Sequence, residues 1–66
     1  MNVTVNGEAR RVPAGTTLAG LVAAVTGLPA GVAAAVNGEV APRRAWPTAV
    51  LADGDRVEVV TAVQGG

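Results

Sequence analysis

Several residue types that carry much of protein chemistry are absent from this 66-residue sequence, which contains no Cys, His, Ser, Tyr or Lys. Without Cys there is no disulfide and no thiolate, and without Cys or His a transition-metal site is not expected. The usual side-chain nucleophiles are missing, and Thr has neither His nor Lys to activate it. We therefore expect a protein that is not an enzyme on its own and that binds no metal.

Charge and hydropathy exclude two further classes. Five Arg balance five acidic residues, so the chain lacks the clustered basic charge of a nucleic-acid-binding protein. No apolar run approaches the length that crosses a membrane. The N-terminus opens with a strand pattern and carries no secretion signal. We expect a cytoplasmic protein that binds neither nucleic acid nor membrane.

The first half of the sequence predicts a β-hairpin and a helix. Residues 1–6 alternate between polar and apolar side chains, and Asn6-Gly7 is a strong hairpin signal before a return strand over 8–12. Thr16 or Thr17 can cap a helix whose apolar side chains recur at helical spacing. Gly27 is placed for a left-handed C-cap, and Pro29 blocks continuation. The apolar face of this helix consists of Leu18, Leu21, Val22 and Val25.

The second half predicts further strands. Residues 32–36 contain three alanines that favour helix, but Gly31 and a second Asn-Gly turn bound the segment, and strand is the better interpretation. Pro47 breaks any helix that follows. The sequence then predicts, in order, a short strand at Glu39-Val40, an irregular segment over 43–51 with one 3₁₀ turn, a turn at Asp53-Gly54-Asp55 and a last strand over 56–63.

This order of elements predicts an α+β protein with the ubiquitin-like β-grasp fold. One helix must bury its apolar face, and a mixed sheet of four to five strands can cover it. In this arrangement the last strand lies beside the first and parallel to it. We expect residues 1–62 to form the domain and residues 63–66 to form a flexible tail.

The tail ends Val63-Gln64-Gly65-Gly66 and offers the one reactive group that the composition leaves. The two glycines have no Cβ, so the end can enter a narrow channel in a partner. There an enzyme could use ATP to convert the Gly66 carboxylate, a poor electrophile, into an acyl-adenylate. Attack by sulfur would then leave a thiocarboxylate, which is a competent sulfur nucleophile.

The same features resemble the ThiS family, the sulfur carriers of thiamine biosynthesis. The resemblance spans essentially the whole chain and is closest in the second half. There the motifs occur in the family's order: Val36-Asn37-Gly38-Glu39-Val40, Pro42-Arg43 with Trp46 shortly after, Asp53-Gly54-Asp55, and a β segment that runs into Gly65-Gly66.

The resemblance implies a function for Gly66. A ThiF-like, ATP-dependent enzyme would adenylate it, a sulfur donor protein would supply sulfur, and a ThiG-like thiazole synthase would receive that sulfur. The carrier itself would bind no cofactor, because ATP belongs to the activating enzyme. Two alternatives stay open: a carrier like the small subunit of molybdopterin synthase, and a β-grasp interaction module whose terminus has no chemical role.

Partner-binding residues are less well specified than the tail. Val60 lies opposite Val57 and Val59 in the strand alternation, so it should leave an exposed apolar spot on the sheet. Trp46 could anchor a partner or pack at the edge of the core. Arg43 could meet acidic partner residues or stay solvated. The acidic turn at 53–55 has too few ligands for calcium and is interpreted as turn chemistry.

Overall fold

A computed structural model describes residues 1–27 and 31–61. It contains five strands, one α-helix and one 3₁₀ helix, in the order that the sequence predicts. Their bounds are β1 Asn2–Val5, β2 Glu8–Arg11, α1 Leu18–Val25, β3 Val32–Val36, β4 Glu39–Ala41, the 3₁₀ helix Arg43–Thr48 and β5 Arg56–Thr61. The segment predicted as irregular thus contains a longer 3₁₀ helix than the single turn expected, and Pro47 lies within it.

Both Asn-Gly pairs form the tight turns predicted from the sequence. Asn6 and Asn37 have φ angles of 51° and 52°, and the glycines that follow them have φ angles of 84° and 85°. Positive φ at both central positions matches the right-handed twist of a hairpin. The turns set the register, with Val5 opposite Glu8 in the first hairpin. In the second hairpin, Val36 lies opposite Glu39.

Helix α1 begins as predicted but ends differently. Thr17 is the N-cap, and its Oγ1 accepts a hydrogen bond from the Gly20 backbone N–H at 3.1 Å. The C-cap is Thr26, with φ −139° and ψ 141°, and its N–H donates to the Val22 carbonyl. Gly27 lies outside the left-handed region, so the predicted left-handed C-cap is wrong. The β-branched Thr26 already carries the chain into extended backbone, and no left-handed residue is needed.

The strands form one mixed sheet in the order β2-β1-β5-β3-β4. Strand β5 pairs parallel with β1, as predicted, and antiparallel with β3. The last strand is therefore the central one, with two strands on each side. This arrangement confirms the predicted β-grasp fold.

The core lies between α1 and one face of the sheet. The helix contributes its predicted apolar face, and strands β1, β3 and β5 contribute alternate residues. Among the described residues, no polar or charged residue is buried. The buried residues are Val3, Val5, Leu18, Leu21, Val22, Ala34, Trp46, Leu51, Val57 and Val59.

Candidate functional site

The C-terminal end of β5 is the point from which the terminal segment starts. Thr61 is the last described residue of the chain, and it pairs with Val32 of β3. The predicted site residues Val63, Gln64, Gly65 and Gly66 lie outside the described residues, as does the end of the predicted strand 56–63. The structure therefore places only the end of the central strand that precedes the predicted site residues.

The side chain of Asn6 holds this strand end. The Asn6 backbone N–H donates to the Val57 carbonyl at 2.9 Å. Its carboxamide bonds to the backbone of Val59, two residues further along the same edge of β5. The Oδ1 atom accepts from the Val59 N–H at 2.8 Å, and Nδ2 donates to the Val59 carbonyl at 3.1 Å. The sequence analysis took Asn6 as a turn residue alone and missed this role, because the contact joins residues 53 positions apart.

The start of β5 is held by the other Asn-Gly turn. Asn37 Oδ1 accepts from the Arg56 N–H at 3.0 Å, and its Nδ2 donates to Asp55 Oδ1 at 3.0 Å. The second Asp55 oxygen accepts from the Ala52 N–H at 2.7 Å. The bonds from Ala52 and Asn37 favour the carboxylate form and lower the pKa of Asp55 below its ordinary value. The acidic turn is thus a structural element, as interpreted from the sequence.

The outer face of the sheet, which points away from α1, carries an exposed apolar patch. Val60 is 61% exposed and Val40 is 78% exposed, which confirms the predicted apolar spot at Val60. The register places Ala33 opposite Val60 and Ala35 opposite Val40, so small side chains lie between the two valines. Glu58 lies beside Ala35 and borders a shallow depression of about 120 Å³. We call these five residues the outer patch.

Trp46 and Arg43 lie together, but away from the outer patch. Trp46 is only 5% exposed and packs in the core, on the helix side of the sheet. Its Nε1–H donates to the Ala41 carbonyl at 2.9 Å. The Arg43 guanidinium carbon lies 5.3 Å from the centre of the indole ring, a cation–π contact. The structure therefore gives Trp46 the core role that the sequence analysis left open, and its partner contact remains a prediction.

Two features are absent from the described ranges 1–27 and 31–61. Within them, no group of three or more His, Cys, Asp or Glu residues is arranged to hold a metal ion. Within the same ranges, no helix is both long enough and apolar enough to cross a membrane.

Comparisons with known proteins agree on one family. The profile of the ThiS family matches residues 3–66. The sulfur carrier protein ThiS of Escherichia coli strain K12 is 30% identical over 66 residues, which cover all of both chains. A thiazole synthase of Magnetococcus marinus contains a segment 38% identical over 66 residues, and the chain spans 20% of that protein's length.

Solved structures agree as well. The crystal structure of the thiamine biosynthesis protein ThiS from Geobacter metallireducens is 35% identical, with a TM-score of 0.82 and full coverage of both chains. A solution structure of a thiamine biosynthesis protein from the same organism is also 35% identical, with a TM-score of 0.80, and the match covers 88% of that chain.

The fold and these comparisons define a small carrier protein of the ubiquitin-like β-grasp class, and not a catalyst. More narrowly, the chain belongs to the ThiS family.

Proposed function

We propose that this chain is a sulfur carrier of thiamine biosynthesis whose reacting group is the carboxylate of Gly66. The observation that carries the proposal is the match to the E. coli sulfur carrier across all of both chains, which includes the Gly65-Gly66 end. Family membership supports the class of function. The chemistry proposed at Gly66 is argued from its carboxylate, because the sequence lacks the usual side-chain nucleophiles.

The proposed chemistry has two steps, and both take place in a partner enzyme. A Gly66 carboxylate oxygen attacks the α-phosphorus of ATP, and pyrophosphate leaves. Sulfide-level sulfur from a donor protein then adds to the acyl carbon, and AMP leaves with the oxygen. A C–S bond replaces a C–O bond, and the chain ends in a thiocarboxylate.

The domain contributes recognition in this scheme. No His, Cys, Ser or Lys is present to assist the reaction, so ATP and the catalytic groups belong to a ThiF-like activating enzyme. The proposed carrier has no cofactor of its own. We place the reaction in the cytoplasm, where ATP is available.

A ThiG-like thiazole synthase is the proposed receiver of the sulfur. The M. marinus relative, named thiazole synthase, contains a segment similar to this whole chain. The presence of a carrier-like segment and a thiazole synthase in one chain supports a functional interaction between the two.

The experiment that tests the proposal is an intact-mass measurement. The protein is incubated with a ThiF-like enzyme, ATP and a sulfide donor, and we expect the mass gain of one sulfur replacing one oxygen. Deletion of Gly66 removes the reacting carboxylate from its position and should abolish the gain while the domain stays folded. Wild-type protein without a mass gain would contradict the proposal. If cells carrying the deletion grew as well as wild type in medium without thiamine, that result would favour the interaction module.

The outer patch is the proposed recognition surface for the activating enzyme. It lies on the strand that leads to the terminal segment, and an exposed apolar patch on a small domain is typical of an interface. Val60→Asp should raise the KM for the carrier in the adenylation reaction. Val50→Asp is a matched control, because Val50 is 64% exposed but lies near Thr17 at the start of α1. Equal effects of the two substitutions would argue against this surface.

A further inference from the structure

We propose that Asn6 is a positioning residue for the sulfur-transfer reaction. Its carboxamide fixes the end of β5, and thereby the point from which Gly65 and Gly66 are presented to a partner. The inference rests on the proposed function of Gly66. It concerns a residue whose side chain bonds to Val59, which is not part of the outer patch.

At Asn6 a side chain continues the hydrogen bonding between β1 and β5 after the backbone of β1 has ended. The β1 backbone pairs with β5 through Val5 and Val57, and the Asn6 N–H still donates to the Val57 carbonyl. At Asn6 itself the backbone turns away, with φ 51°. The carboxamide nevertheless offers Val59 one acceptor and one donor, at 2.8 and 3.1 Å. They stand in for the backbone carbonyl and the backbone N–H that two residues of a continued β1 would have offered to Val59, so the hydrogen bonding along this edge of β5 continues by one step.

This extra step lies close to the start of the terminal segment. Beyond Val59, the described part of β5 pairs only with β3, through Val60 opposite Ala33 and Thr61 opposite Val32. Loss of the Asn6 contacts leaves Val59 as well held on one edge only, so the singly paired end of β5 becomes longer. Two net hydrogen bonds correspond to about a tenfold change in the ratio of paired to frayed strand ends.

Fraying at this place would change how the terminus is delivered. Each residue released from a strand lengthens the tether by about 3.3 Å and adds backbone freedom. When the domain has docked on the activating enzyme, a longer and freer connection to Gly66 lowers the effective concentration of the carboxylate at the enzyme's active site. The expected kinetic effect is therefore on use of the terminus, with docking through the outer patch unchanged.

The chain supplies a matched control in Asn37. Asn37 precedes Gly38 in the same kind of turn, with φ 52°, and its carboxamide also accepts from a β5 N–H, that of Arg56. That contact lies at the opposite end of the strand from the terminal segment. Glycine is the substitution of choice at both positions, because it adopts positive φ without strain and removes only the side-chain contacts.

The experiment compares wild type, Asn6→Gly and Asn37→Gly, each shown to be folded by circular dichroism. Initial rates of pyrophosphate release with a ThiF-like enzyme and ATP give kcat and KM. Hydrogen exchange of the Val60 amide reports fraying directly. We expect Asn6→Gly to speed that exchange about tenfold and to lower kcat/KM about twofold, chiefly through kcat. Asn37→Gly should leave both at the wild-type values.

The outcomes separate this inference from the proposed function. Wild-type protein that is never adenylated overturns the proposed function, whatever the exchange data give. Adenylated wild type with equal kinetics for Asn6→Gly and Asn37→Gly overturns the positioning role. If Asn6→Gly fails to fold, Asn6→Asp is the second variant: it keeps the acceptor for Val59 N–H and loses the donor. It should then give an intermediate rate, and a wild-type rate would contradict the inference.

Discussion

Replacing Trp46 with Ala should remove much of the domain's unfolding free energy, and should do so without any partner. The indole is 5% exposed in the core, and its N–H satisfies the Ala41 carbonyl at 2.9 Å. Truncation of a buried Trp to Ala costs about 3–5 kcal/mol. A domain of this length has a total unfolding free energy of about 3–10 kcal/mol. Trp46→Ala should therefore remove a large fraction of the stability, and at the lower end of that range nearly all of it.

Trp46→Phe separates the packing of the ring from its hydrogen bond. The phenyl ring fills part of the same volume but leaves the Ala41 carbonyl without its donor, for an expected cost of about 1–3 kcal/mol. Urea unfolding followed by far-ultraviolet circular dichroism measures both variants, since their tryptophan fluorescence is lost. Wild-type fluorescence should report the same transition as circular dichroism.

The competing role for Trp46 is a partner contact, and the two roles predict opposite patterns. If the ring acts in the core, Trp46→Phe lowers the unfolding free energy but keeps the KM for a ThiF-like enzyme close to wild type. A variant that keeps its stability within about 0.5 kcal/mol while its KM rises would refute the packing argument. Trp46 would then be the partner anchor that the sequence analysis considered.

The remaining predictions concern caps, charge and backbone. Thr17→Ala should lower the urea-unfolding free energy by about 1 kcal/mol, whereas Thr17→Ser, which keeps the capping oxygen, should not. The lowered pKa of Asp55 means that its stabilisation is complete above the ordinary value of 3.8 and is lost as pH falls towards the folded-state pKa. Wild type should therefore lose more of its thermal stability than Asp55→Asn between pH 5 and pH 3, and equal losses would contradict this assignment. Gly27→Ala should be neutral or stabilising, because Gly27 lies outside the left-handed region and has open space around it. Gly54→Ala, at φ 87°, should lower the melting temperature.

Local patterns predicted much of this fold because the local and global preferences agree. Two Asn-Gly pairs specified both hairpins, and the helical spacing from Leu18 specified the helix face. The alternation in β5 placed Val59 inside and Val60 outside. The parallel pairing of the last strand with the first was predicted from the fold class, whereas the pairing of β5 with β3 was not predicted.

What the sequence could not reveal depends on contacts between distant residues. The Asn6 carboxamide meets Val59 only after β1 and β5 have paired, and no local signal distinguishes an Asn that turns the chain from one that also bonds a neighbouring strand. The predicted left-handed C-cap at Gly27 was wrong for a related reason. A glycine after a helix is compatible with a left-handed cap, but Thr26 determines the direction in which the chain leaves.

The position of β5 explains why an otherwise unreactive domain suits this task. A terminal strand at the edge of a sheet would have a partner on one side and would fray from its end. Here the terminal strand is central, paired with β1 and β3, and Asn6 and Asn37 bond to it near its two ends. Under the proposed function, the Gly66 carboxylate lies five residues beyond Thr61, the described end of this central strand. Such a carrier would need no catalytic side chain, because its contribution would be the fixed strand end that precedes the reacting terminus.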